Sequence, residues 1–194
     1  MPDTNKIKYG LEKCYYAKAT IASDGSATYA APVALPGAVS LSMDQQSDRT
    51  PFWADNIEYW ISNLNNGYDG ELELAVVPES FLKDILGYLT DANNVILEDA
   101  GAEPAHFALL FQFQGDKNAK RHVLYNCVAS RPNLESQTRE DTITPQTESL
   151  EITATSVYNT SLTKDIVKAR VTETETTAYN SWYSAVYQAT TLHT

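Results

Sequence analysis

Apolar and polar residues alternate most clearly in the segment 67–89, where the pattern predicts a strand followed by a helix. Successive side chains of a strand point to opposite faces of a sheet. Three carboxylates share one predicted face and three aliphatic side chains the other, namely Asp69, Glu71 and Glu73 against Leu72, Leu74 and Val76. We therefore expect a strand over 69–77 with one acidic face, and the dipeptides at 66–67 and 69–70 predict turns beside it.

The spacing of apolar residues changes after Pro78, which ends the predicted strand because proline cannot donate to a sheet ladder. Its fixed φ suits the first turn of a helix, and Glu79 would lie near the positive end of that helix. Apolar residues then recur at helical spacing, at Phe81, Leu82, Ile85, Leu86 and Leu89. This stripe predicts an amphipathic helix that docks on the sheet.

Further strands are predicted wherever β-branched, aromatic and alternating residues lie between turn signals. They cover 11–21, 27–35, 37–43, 57–64, 106–114, 120–130, 148–157 and 166–172. A turn at 115–119 would join 106–114 to 120–130, with Phe111 opposite Val123, Leu109 opposite Tyr125 and Phe107 opposite Cys127. Leu110 and Leu124 would then pair on the other face, which suggests that this face is covered too.

Two polar segments interrupt the strands and are predicted to be irregular. The first, 44–56, carries Phe52 and Trp53 near its end. These aromatics either fold back over one end of the core or protrude and contact a partner, and the sequence favours neither. The second, 133–147, is a polar connection long enough to suggest a functional or assembly role.

An aromatic stripe near the C-terminus predicts a second helix within the segment 173–194. Its members follow helical spacing, at Tyr179, Trp182, Tyr183, Val186 and Tyr187. Thr176 or Thr177 is the expected N-cap. The elements together predict a mainly β fold, an antiparallel β-sandwich or partial barrel with one flanking α-helix and a C-terminal amphipathic helix. We expect a single domain over 1–194.

Composition and charge narrow the classes of function. The chain has 194 residues and a net charge of −11, which disfavours tight binding to nucleic acid. It has no apolar run long enough for a membrane helix and no apolar leader at its start. Two cysteines without such a leader are more often buried thiols than a disulfide, so we expect a reducing cytoplasm.

Candidate chemistry is sparse, and we predict neither an enzyme nor a metal or cofactor site. His106 and His122 would lie about 20 Å apart along the hairpin, too far to share a metal. Alternate carboxylates on the acidic strand would lie about 7 Å apart, within the range that glycosidases use. An acidic face on a half-buried strand is nevertheless common, and nothing near it indicates a general acid of raised pKa.

Several segments in the same order resemble the major tail protein of long, non-contractile-tailed phages. They are ADN at 54–56, GYDGELELAVVPESFLKDILGY at 67–88, HFALLFQFQGD at 106–116, RHVLYNCVASRP at 121–132 and PQTESLEITAT at 145–155. The resemblance runs from about residue 9 to 187. It implies a β-sandwich with a flanking helix, hexameric rings that stack into a tail tube in the virion, and passage of double-stranded DNA during ejection. It also implies assembly in the host cytoplasm, tape-measure and tail terminator proteins as partners, and no membrane or catalytic residues.

Two groups of residues fit this implied role. A channel that passes DNA must not hold it, and carboxylates repel phosphates. The predicted lumen-facing residues are Asp69, Glu71, Glu73, Glu148 and Glu151. The predicted ring-stacking loop is 44–56, with Asp44, Arg49, Phe52, Trp53 and Asp55 as its candidate contacts.

Two other classes of protein remain as alternatives at this point. A β-sandwich carbohydrate-binding module or adhesin would be a monomer with solvent-facing aromatics and affinity for glycans. A small glycoside hydrolase using the acidic strand would lose hydrolysis on Glu71→Gln. Rings or tubes in electron micrographs would favour the structural assembly protein, and dispersed monomers would favour the other two.

Overall fold

Antiparallel strands make up most of the computed structural model, which describes residues 10–114, 119–134 and 146–192. For residues 49, 50 and 61–63 the backbone alone is described. Residues 115–118 of the turn predicted at 115–119, most of the polar connection at 133–147 and His193 lie outside the described residues.

The strands and helices occur along the chain with the following bounds. They are β1 (Leu11–Ile21), β2 (Ala27–Tyr29), β3 (Val33–Ala34), β4 (Ala38–Ala54), β5 (Ile57–Leu74), α1 (Glu79–Asp84), β6 (Leu89–Thr90), β7 (Ile96–Leu97), β8 (Phe107–Phe113), β9 (Arg121–Ala129), β10 (Glu148–Thr155), β11 (Val157–Asn159), β12 (Lys164–Ile166), β13 (Lys168–Val171) and α2 (Thr176–Ser181).

One large antiparallel sheet organises these elements, in the order β2-β1-β8-β9-β10-β5-β4. Strand β3 joins the sheet beside β1, and β13 joins it beside β9. The sheet curves until β1 and β4 come into contact, but no ladder between the described strands closes it. The predicted mainly β fold is therefore confirmed, in the form of a partial barrel with two short helices.

Helix α1 covers the core on one face of the sheet, which we call the helix-side core. Phe81, Ile85 and Leu86 are fully buried there. The Phe81 ring meets those of Tyr16 and Phe107 edge to face, at centroid distances of 5.1 and 5.4 Å. Aromatic pairs favour this geometry because the positive ring edge faces the negative ring face.

The predicted strand and the predicted helix around Pro78 both extend beyond the C-terminal ends of the observed elements. Strand β5 ends at Leu74, and Val76 is exposed rather than inward-facing. Helix α1 ends at Asp84, and Gly87 follows with φ +74°, a left-handed conformation that often terminates a helix. Leu89 is consequently exposed in β6 and does not continue the apolar stripe.

The C-terminal segment covers the opposite face of the sheet and forms the C-terminal core. Trp182 is its largest buried side chain, with 1% of its surface exposed. The indole N–H donates to the carbonyl of His122, and the Tyr125 hydroxyl donates to the carbonyl of Tyr187 at 2.8 Å. The guanidinium of Arg121 stacks on the Tyr179 ring at 3.6 Å.

The predicted C-terminal helix is correct in position but too long. Helix α2 spans only Thr176–Ser181, and the aromatic residues beyond it pack from irregular backbone. Its N-cap is Glu175, without a side-chain capping bond, so the prediction of Thr176 or Thr177 is wrong. Glu175 instead accepts hydrogen bonds from the hydroxyls of Thr172 and Thr174.

The predicted pairing of β8 with β9 is correct at one end and wrong at the other. Phe107 lies opposite Cys127 as expected, but a bulge shifts the next pairs, so Leu109 faces Leu124 and Phe111 faces His122. An extra residue in one strand exchanges the faces of the residues beyond it. Leu124 therefore enters the helix-side core and Val123 the C-terminal core. The inference that both faces are covered is confirmed.

Candidate assembly surfaces

An acidic face runs along the inner half of β5, where this strand lies between β4 and β10. Three rows of side chains cross the three strands on the face away from the helix-side core. From one end to the other they are Ser40, Glu73 and Ser149; Ser42, Glu71 and Glu151; and Asp44, Asp69 and Thr153. This acidic face brings together carboxylates that are distant in the sequence.

Like charges lie directly opposite one another on the acidic face. Glu71 pairs with Glu151 across one strand boundary, and Asp69 pairs with Asp44 across the other. Directly opposed like charges destabilise a sheet. Two ion pairs among the described residues, Lys83 with Glu79 and Arg131 with Glu98, lie elsewhere. These ion pairs therefore do not compensate the carboxylates of the acidic face, whose arrangement opposes folding of the isolated chain.

Glu73 differs from its neighbours because two hydroxyls hydrogen-bond to its carboxylate. Thr147 donates at 2.6 Å and Ser40 at 2.8 Å. These bonds stabilise the ionised form and lower the pKa of Glu73, the bond from Thr147 contributing most. A glycosidase acid needs the opposite shift, so the environment of Glu73 disfavours that role.

Glu148 does not belong to the acidic face, contrary to the grouping predicted from the sequence. On β10 it shares a face with Leu150 and Ile152, whose side chains enter the helix-side core. Its carboxylate accepts a hydrogen bond of 2.6 Å from the backbone N–H of Val77, just before α1. Glu148 therefore holds the connection between β5 and α1, while Glu151 lies on the acidic face as expected.

The segment predicted as an irregular loop, 44–56, is instead the end of one strand and a tight turn. Strand β4 continues to Ala54, and the chain reverses at Asp55 and Asn56, with φ values of +51° and +61°. A two-residue turn with both φ values positive matches the twist of a hairpin, and Asp and Asn tolerate this conformation. The polar composition of the segment reflects a solvated two-stranded hairpin rather than irregular structure.

The outer parts of β4 and β5 form an arm that leaves the sheet, and we call residues 47–65 the arm. β10 pairs with β5 only as far as Tyr68, so beyond this point β4 and β5 pair only with each other. The predicted turns at 66–67 and 69–70 are wrong, because both dipeptides lie within β5. Gly67, with φ +102°, lies at a register shift, and a Cβ there would lie 2.0 Å from the carbonyl oxygen of Ala154.

The tip of the arm exposes aromatic side chains on both of its strands. Phe52 is 58% exposed, Trp53 63% and Trp60 58%, and Tyr59 and Ile57 are exposed as well. The possibility that Phe52 and Trp53 fold back over the core is therefore excluded. A concentration of large exposed apolar side chains at one end of a hairpin usually marks a site of interaction.

The five predicted ring-stacking residues do not form one cluster. Phe52, Trp53 and Asp55 lie at the tip, and Asp44 lies on the acidic face. The backbone of Arg49 pairs with Asn63 in the arm, and its side chain is outside the described residues. Sequence reasoning missed Trp60 and Tyr59 as members of the tip. The Asp55-Asn56 dipeptide was the available signal, because reading it as a hairpin turn would have brought residues 57–60 beside Phe52.

The described part of the chain was also searched for a metal site, a membrane-spanning helix and a reactive cysteine. No group of three His, Cys, Asp or Glu side chains there is placed to hold a metal. None of the helices described is long and apolar enough to cross a membrane. Cys14 and Cys127 are buried free thiols, and burial raises the pKa of each to about 12.

The fold and the two surfaces define a mainly β protein with a projecting hairpin arm and an acidic sheet face. The sequence model of a family described as phage tail tube protein matches residues 2–194. The chain therefore belongs to the phage tail tube protein family and is a structural component of a phage tail.

The chain also has a distant likeness to a solved structure. The chain is similar to the cryo-EM structure of an anti-feeding prophage cap, the tube terminating cap, with 9% identity and a TM-score of 0.33. The match covers 88% of this chain and 96% of that chain. No curated protein sequence matches the chain.

Proposed function

We propose that copies of this chain form hexameric rings that stack into the tail tube, the conduit through which double-stranded DNA is ejected. The acidic face lines the bore, and the arm joins one ring to the next. The protein is a non-enzymatic component of the virion. It assembles in the host cytoplasm with tape-measure and tail terminator proteins.

The arm is the observation that carries this proposal. A two-stranded ribbon has no core of its own and is marginally stable in water, so an arm tipped with exposed aromatics is best explained by a partner that covers it. Membership of a tail tube family makes another copy of the chain the natural partner. The arm is also too long to be a simple turn, because β4 and β5 have 17 and 18 residues.

The acidic face supports a position in the bore. DNA that binds a protein does so largely by exchanging counterions for Lys and Arg, and this surface offers carboxylates instead. Its opposed pairs, Glu71 with Glu151 and Asp69 with Asp44, oppose folding of the single chain. A requirement to repel phosphate in the assembled tube would explain why such pairs are kept.

The decisive experiment on the arm is electron microscopy of concentrated protein. Wild-type protein should form rings and tubes, and the double variant Phe52→Ser/Trp53→Ser should remain folded but fail to form tubes. The matched control, Val95→Ser/Leu192→Ser, removes two exposed apolar side chains elsewhere and should assemble normally. Unchanged tubes from the arm variant would refute the stacking role, and dispersed wild-type monomers would refute the tube itself.

Charge reversal tests the bore separately. Tubes of Glu71→Lys/Glu151→Lys should retain double-stranded DNA at low salt and release it as salt rises, while wild-type tubes should not retain it. Glu103→Lys/Glu173→Lys changes the net charge equally at exposed positions away from the acidic face. Equal retention by this control would contradict the assignment of the acidic face to the bore but leave the tube intact.

Exposed tryptophans at the tip also favour one other function, the stacking of sugar rings by an adhesin. That function needs no assembly. A monomer that binds glycans through Trp53 and Trp60 would support it, and tubes without measurable glycan binding would exclude it.

A further inference from the structure

An apolar groove of about 230 Å³ opens at the base of the arm. The residues that line it come from β4, β5, β8, β9 and β13 and include Leu41, Met43, Tyr68, Phe111, Phe113 and Lys168. Phe111 belongs to the helix-side core, and Met43 and Tyr68 pack against it. The groove is therefore an open end of the partial barrel, and its floor is continuous with the core.

Lys168 is a cationic residue that lines the groove, and a second cationic residue lies further along β13. Lys168 is exposed and lies 4.4 Å above the Tyr68 ring. Arg170, two residues along β13, shares its face and is also exposed. The arm has the opposite balance, because Asp48, Asp55 and Glu58 outnumber Arg49 over residues 47–65. Opposite charges of this kind steer the encounter of two surfaces and fix their register.

The tip carries a side chain of suitable size for the groove. Phe52 lies directly opposite Trp60, so the two rings share one face of the arm. A dry apolar cavity of about 150 Å³ is enough to bind benzene. The larger groove has room for one indole.

The arm cannot place its tip in its own groove. Tyr68 lies eight residues after Trp60 in β5, which is about 26 Å at the rise of a β-strand. A contact between the tip and the groove must therefore join two copies of the chain. The tip and the groove are different surfaces of the chain. A copy whose tip is bound to one neighbour therefore still has a groove free for the tip of another, and the interface can repeat along a stack instead of forming a closed dimer.

The geometry points to the groove as the receptor for the arm: we propose that the Trp60 indole of one copy, with Phe52 beside it, enters the groove of a copy in the next ring. Lys168 and Arg170 there face the carboxylates of the entering arm. This inference rests on the proposed tube and names the surface that the arm contacts. It also assigns Trp60 a larger part in stacking than Trp53, which lies beyond the register shift at Phe52.

Photo-crosslinking in assembled tubes tests this contact. Trp60 is replaced by benzoylphenylalanine, which keeps an aromatic ring at the tip. The variant is isotopically labelled and mixed as a minor fraction with unlabelled wild-type protein, so that tubes form. Irradiation should link labelled residue 60 to unlabelled peptides that contain Met43, Phe111 or Phe113. The matched control places benzoylphenylalanine at Leu97, an exposed leucine on β7, and should not label these peptides.

The outcomes separate the contact from the tube. Tubes in which residue 60 links only to other parts of the neighbouring copy would overturn the contact and leave the proposed function standing. Links confined to labelled chains would overturn it as well, because the tip would then contact its own chain. A wild-type protein that forms no tubes would overturn both proposals together.

Discussion

The two halves of β5 belong to one strand and share one partner, β4, yet they differ in which side chains they bury and expose. In the inner half, β10 lies on the other side, Leu72 and Leu74 are fully buried, and the outward face is acidic. In the outer half there is no second neighbour among the described strands, and Leu64 and Trp60 are exposed. A strand between two neighbours can bury one face against the core, whereas a two-stranded arm has no core to bury against. The inner half therefore serves the fold of one chain, and the outer half is available to other chains.

The largest expected effect that separates the two halves is on the free energy of unfolding. Leu72→Ala should lower it by about 2–5 kcal/mol, because the substitution removes buried methyl groups and leaves a cavity. Leu64→Ala, at an exposed position of the arm, should change it by no more than about 0.5 kcal/mol. Urea denaturation of both variants measures this difference. Equal losses would mean that the arm is part of the cooperative fold.

A smaller effect is expected from the close approach of β4 and β5 at Gly70. A Cβ there would lie 1.9 Å from the carbonyl oxygen of Ser42, so the backbones must separate to admit it. Gly70→Ala should lower the free energy of unfolding by about 1–3 kcal/mol, as overpacking does elsewhere. Gly101→Ala is the matched control, because its Cβ would come no nearer than 3.4 Å to the Asp99 carboxylate. Similar values for the two variants would show that the sheet yields at Gly70.

The smallest expected effect is on the pKa of one residue of the acidic face, Glu73. The pKa of Glu73 is lowered by hydrogen bonds from Thr147 and Ser40, so these bonds stabilise the fold at a pH above the unfolded-state pKa. Their contribution is lost as the pH falls through the lower pKa of the folded state. Thr147→Val should raise the pKa of Glu73 toward its ordinary value, measured by NMR titration of the carboxyl carbon. Ser149→Ala, on the same face but without a bond to Glu73, should leave it unchanged.

Within the observed part of β5 the structure confirms the predicted local alternation, whereas Val76 lies beyond the end of the strand and is exposed. The acidic positions Asp69, Glu71 and Glu73 alternate with Leu72 and Leu74 as expected, because period two is a property of the extended backbone itself. The predicted pairing of β8 with β9 failed beyond the bulge near Phe107, which moved Leu124 to the helix-side core. The prediction of an irregular loop over 44–56 failed for a different reason, because polar composition is also typical of a solvated hairpin.

The amino-acid sequence by itself determined the mainly β class, the acidic strand, the apolar stripe of α1 and the family. These follow from local periodicity, composition and the order of segments along the chain. Only the tertiary structure decided that Glu151 and Asp44 complete the acidic face, that Glu148 leaves it, and that Trp60 lies opposite Phe52 on a projecting arm. The physical reason is that sheet register and burial depend on which distant strand lies alongside, and no pattern within one strand specifies its neighbour.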